Sequence, residues 1–161
     1  MMPGIDPLGA LLDSNVRVVR GTAMTTPSNN TSTQTQFFVA VPSAQNQKCE
    51  GVMVEDAVET GYPLPATANP TTVTGTAPAS PYDLRKRAWA LARHGRVWCI
   101  AYDGNIKQGD LVIIGDAFGR VQSISALSPG TIANMVGRAL NNSNAANDLI
   151  AVDLELFQRP V

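Results

Sequence analysis

The residues that could move a proton, attack a bond or hold a metal are few in this chain, and they stand apart. The one histidine, His94, lies between Arg93 and Arg96, cations that disfavour a second positive charge beside them. An imidazole alone is no general base, because catalysis also needs partners that aim it at a substrate. Asp103, Asp110 and Asp116 each lie near a glycine, but their spacings of seven and six residues do not match the ligand positions of a calcium loop. They read as turn formers. Cys49 and Cys99 form no CxxC pair and no cluster with histidine, which argues against a structural zinc. They read as two buried thiols, with a disulfide between them left open. No GxSxG, HExxH, phosphate loop or GxGxxG occurs. The expectation is a protein without catalytic residues, metal or cofactor.

One cluster could bind a charged partner. Arg85, Lys86, Arg87, Arg93, His94 and Arg96 fall within twelve residues, interleaved with Trp89 and Trp98. Three readings apply: a solvated edge kept from aggregating by its charge, a patch that docks on an acidic protein surface, or a nucleic-acid site using phosphate contacts and stacking. Alternate side chains of a hairpin split between its faces, so the cluster need not form one patch. The net charge of −1 offers a nucleic acid no wider support, and none is expected as partner. Trp89 and Trp98 read as core residues, with exposed stacking platforms for a sugar as the alternative.

The elements that would carry these residues are short strands. Gly (13) and Pro (11) are plentiful in the 161 residues, and polar turn formers separate brief apolar runs. Phe37–Val41, Gly51–Val54, Arg96–Tyr102, Leu111–Ile114, Arg120–Ile124 and Asn134–Leu140 read as strands. Residues 148–156 alternate, with Ile150, Val152, Leu154 and Leu156 on one side and Asp153 and Glu155 on the other. Residues 82–92 carry two patterns. Ser80-Pro81 followed by LRKRAWALAR could open a helix, whereas alternation around Trp89 and Leu91 suits a strand turning back at His94-Gly95. The hairpin is the reading adopted, with a short helix near 82–92 as the alternative. Gly95, Gly104 and Gly119 are each placed at a chain reversal. The fold class expected is mostly all-β: a small β-barrel or β-sandwich of short antiparallel strands.

Two segments fall outside that body. Residues 63–81 (PLPATANPTTVTGTAPASP) hold no charge and read as a long surface excursion. Residues 1–35 read as an N-terminal arm before a β-rich domain at 36–161. The stretch TAMTTPSNNTSTQTQ buries too little apolar area to offset an ordering cost of about 1–2 kcal/mol per residue. The arm also holds Leu8, Leu11, Leu12, Val16, Val18 and Val19, too many apolar groups to leave in water, so it is expected to lie on a neighbouring subunit or another protein. Charged residues make up 16% of the chain, below the roughly 25% of ordinary soluble domains, consistent with a surface partly covered by a partner. The opening residues lack a basic start and a long apolar run, so no signal peptide is expected. No run reaches the roughly 20 apolar residues of a helical membrane span.

The stretch from Trp89 to Val121 (WALARHGRVWCIAYDGNIKQGDLVIIGDAFGRV) resembles the capsid decoration, or structural cement, proteins of tailed phages. The matching features are Arg93, Gly95, Arg96, Val97 and Trp98, then Ile106 and the Gly109-Asp110 pair that opens LVII. Val136–Leu140, a polar loop and the closing strand at Leu149–Leu156 extend the likeness, which spans roughly residues 50–157. Residues 63–81 and the polar arm depart from it. The resemblance implies a homotrimer on the outer surface of the virion, bound to the major capsid protein and clamping the shell against DNA pressure. The candidate coat or subunit contacts are then Leu8, Leu11, Leu12, Val16, Val18, Arg85, Lys86, Arg87, Arg93 and Arg96. Two alternatives stand beside it: another virion part, such as a tail or head-completion protein, and a carbohydrate-binding β-module.

Overall fold

The computed structural model describes residues 5–28, 36–60, 62, 77 and 83–161. Among these described residues ten strands run in chain order: β1 (Ile5–Leu12), β2 (Ala23–Thr25), β3 (Phe38–Val39), β4 (Cys49–Met53), β5 (Trp89–Ile100), β6 (Leu111–Ile114), β7 (Val121–Ser123), β8 (Ile132–Ala139), β9 (Leu149–Leu154) and β10 (Gln158–Pro160). Seven pair in the order β2-β4-β5-β9-β8-β6-β7 and curl into a nearly closed antiparallel barrel. The ends of this path meet across a seam. The Ala23 N–H of β2 donates to the Gly119 carbonyl just before β7 at 2.9 Å, and β7 also meets the chain beyond β5, where the Tyr102 N–H donates to the Val121 carbonyl at 2.8 Å. Closure removes most free sheet edges.

Alternation fills the barrel. Val97, Cys99, Ile150, Val152, Leu154, Val112, Ile114, Val136 and Ala139 point inward and form one buried cluster. A second cluster lies outside it: Ala10 and Leu12 of β1, with Val18, Met24, Val39, Met53, Leu84, Trp89 and Leu91. Strand β5 serves both. Leu91 belongs to the outer cluster, Ala92 to the barrel interior, and Val97 to the interior again. Ala92 and Val97 are five residues apart, which strict period-two alternation cannot place on one face. The extra residue sits at Gly95, whose φ of +87° suits glycine. The β1 register shifts over the same stretch, Ile5 pairing with Gly95 and Pro7 with Ala92. This is a β-bulge.

The bulge replaces the expected hairpin. No chain reversal occurs at His94-Gly95; β5 runs unbroken through twelve residues. A glycine with positive φ serves a tight turn and a bulge equally, so the dipeptide could not separate them. The alternative helix near 82–92 shrinks to one 3₁₀ turn at Leu84–Lys86, capped by the Asp83 carboxylate accepting from the Arg85 N–H. Gly104 lies in a turn without positive φ, and Gly119 turns β6 into β7 at φ +72°.

The described part of the expected arm belongs to the sheet. β1 pairs with β5 from Ile5↔Gly95 to Ala10↔Trp89, and β2 pairs with β4. Leu12 and Val18 are each 1% exposed. Their apolar partners come from distant strands, which a reading of residues 1–35 alone could not supply. Residues 1–4 and 29–35 of the arm, and all of the 63–81 segment except Ala77, lie outside the described residues.

Candidate functional site

Strand alternation brings one large aromatic to the surface. Val97 and Cys99 face the barrel interior, so Trp98 must face out, and it is 59% exposed. Core packing holds for Trp89, which is 5% exposed and donates its indole N–H to the Leu84 carbonyl at 2.8 Å; it fails for Trp98. Ile100, the next outward position, is buried because the chain crosses over it. The Ile100 N–H donates to the Gly21 carbonyl at 3.2 Å. That crossing is one bank of a groove of about 510 Å³. Met53 and Val54 from the end of β4, Leu140 beyond β8, and Leu149 and Ala151 from β9 complete its apolar walls around Trp98. Among the described residues, Arg20 and Arg96 are the only charged ones lining it.

The two arginines differ. Arg20 is tied to Asp56: its backbone N–H and its Nη1 donate to the two carboxylate oxygens at 2.8 and 3.0 Å. Arg96 is exposed on β5, opposite Asp153 of β9 in register, and forms no ion pair among the described residues.

The remaining basic residues do not make one patch. Arg85 is bound to Asp83, whose carboxyl is held down at about 2, first by the Arg85 side-chain hydrogen bond and then by the Arg85 backbone N–H. Arg87 pairs with Glu55 at 3.1 Å and lies 3.8 Å above the Trp89 ring. Arg93 reaches Glu50 at 3.5 Å and donates from Nε to its carbonyl. Lys86 is exposed beside them. Arg85, Arg87 and Arg93 thus each hold a local acid while their side chains stay about half exposed.

The apolar contact candidates sort differently. Leu12 and Val18 are core, Leu11 and Val16 are half-buried, and Leu8 pairs with Leu91 in register. Among the described residues no group of three or more His, Cys, Asp or Glu comes together as a metal site. The aspartates near glycines do build turns: Asp103 accepts the Asn105 N–H, Asp110 that of Lys107, and Asp116 those of Phe118 and Arg120. Cys49 and Cys99 are free and buried; burial pushes the Cys49 thiol up to about 12 and raises Cys99 as well. Neither is a nucleophile near neutral pH. Among the described residues no helix is long and apolar enough to cross a membrane.

The groove was missed because alternation reports only which face a side chain takes, not whether that face is covered. The usable clue was Trp98 between the inward pair Val97 and Cys99. No family model matches the chain, and no curated protein matches it.

Proposed function

We propose that this chain is a capsid decoration protein of a tailed phage, which docks on the outer shell and stabilises it. The observation that carries the reading is the Trp98 groove, an apolar face presented by a barrel whose own core is complete. Exposed tryptophan in a well-formed apolar setting with arginine at the rim has the composition of an interface hot spot. The sequence resemblance over residues 50–157 points to a shell as the partner. A rigid barrel suits that task, since a clamp must resist deformation rather than turn over a substrate.

The mechanism is mass action. A ligand that binds only the assembled lattice stabilises it by RT ln(1 + [L]/Kd), about 2.7 kcal/mol per site at a hundredfold excess over Kd. Many copies act on one shell, and self-association would add avidity.

Exposure of Trp98 also favours the carbohydrate-binding alternative. Sugar hydroxyls need amides and carboxylates beside the ring, and the groove is lined by aliphatic residues and two arginines instead. A protein surface fits this lining better. The test is co-sedimentation with purified shells. Trp98→Ala leaves both cores intact and should lower the bound fraction at least tenfold. Equal binding of wild type and variant would remove the docking face, and binding to polysaccharide in place of shells would favour the alternative.

A further inference from the structure

We infer that the Trp98 groove receives a protein segment in which an apolar anchor is flanked by carboxylates. This rests on the docking reading above and specifies the partner's chemistry. Among the described residues the lining holds two arginines and no acid. A lysine-flanked segment would meet like charge at Arg96, which forms no ion pair with its in-register neighbour Asp153, whereas an aspartate or glutamate gains a charge-assisted contact there. Arg96 is the stronger attractor, because Arg20 already serves Asp56 through two hydrogen bonds. The planar Arg96 guanidinium can take a carboxylate in two parallel hydrogen bonds, a geometry lysine lacks. It stands two residues from Trp98 on the same strand and the same face, so one short segment can fill the groove and reach the cation together.

A small amphiphilic acid shares this chemistry, but such ligands are normally buried over most of their surface. A groove whose central indole is 59% exposed is a trough, suited to side chains arriving on another chain.

The probes are two blocked hexapeptides with the same leucine and phenylalanine core, one flanked by glutamates and one by lysines. Affinities are read by isothermal titration, and the site by backbone amide shifts. The glutamate peptide should shift amides around Trp98 and bind about two- to fivefold tighter than the lysine peptide, the scale of a partly exposed ion pair. Arg96→Glu should invert that order, Arg96→Met should abolish the preference, and Trp98→Ala should weaken both peptides. Thermal melts of each variant check that it is folded. Equal affinities, or a preference untouched by Arg96→Glu, would overturn the proposal. So would decanoate binding as tightly with the same Arg96 dependence, or self-association that Trp98→Ala abolishes. Shell binding lost in Trp98→Ala without peptide discrimination would leave the docking reading and remove this inference. Discrimination without shell binding would do the reverse.

Discussion

Replacing Leu12 by alanine separates an N-terminal arm from an N-terminal strand. Leu12 ends β1, is 1% exposed and packs in the outer cluster with Met24, Met53 and Leu91. Truncating a fully buried leucine costs about 2–5 kcal/mol, the spread reflecting how far the cavity collapses. The cluster is bounded by sheet on one side and by β1 and β3 on the other, so collapse should be partial and the cost about 3 kcal/mol. That is a large share of the roughly 5–15 kcal/mol that holds a domain together. At roughly 2–4 °C per kcal/mol for a chain of this size, the melting temperature should fall by roughly 6–12 °C. Neighbouring Leu11 is only half-buried, and Leu11→Ala should cost less than half as much. The assay is urea unfolding followed by circular dichroism, with the slope compared to ensure that both variants lose stability rather than compactness. A Leu12→Ala variant as stable as wild type, or no worse than Leu11→Ala, would mean that β1 is not docked on β5 in solution.

Two further outcomes follow from the same geometry. Gly119→Ala should destabilise more than Gly130→Ala: both have positive φ, but a Cβ at Gly119 would lie 2.5 Å from the Ala23 carbonyl oxygen at the barrel seam, while Gly130 faces open space. Equal melting temperatures for the two would refute the seam. Stability should also fall in acid. Asp83 and Glu59 titrate below their ordinary values through hydrogen bonds from Arg85 and Arg17, so their contribution is complete above the unfolded pKa of about 4 and is lost as the pH drops through the folded values, toward 2 for Asp83. Asp83→Asn combined with Glu59→Gln should flatten the stability profile between about pH 4 and 2, and a profile as steep as wild type would contradict the assignment.

Much of the barrel was legible in the sequence, because local rules and tertiary structure agree there. Leu111–Ile114 is a short apolar run and proves to be β6; the alternation of Ile150, Val152 and Leu154 proves to be the inward face of β9. What escaped depends on partners far along the chain. β1 and β2 gain their burial from β5 and β4, so their own polar surroundings misled. Gly95 carries the backbone freedom of a turn, and only the register on both sides shows a bulge. β10 has no apolar pattern and pairs with β8 as a fully exposed strand. The basic residues at 85–96 were visible as a cluster, but the acids that neutralise them, Glu50, Glu55 and Asp83, come partly from β4 and the turn after it. The groove was half legible: Trp98 stands out in the sequence, but alternation alone does not show that no strand among the described residues covers its face.

The most direct test of the proposed role uses heads of the tailed phage that, on this proposal, carries the chain: thermal release of DNA is followed after the protein is stripped off and again after it is given back. The decoration reading predicts that stripped heads release DNA at a lower temperature, that added protein restores the original value in a saturable way, and that Trp98→Ala does so only at much higher concentration. Release at the same temperature with and without the protein would contradict it.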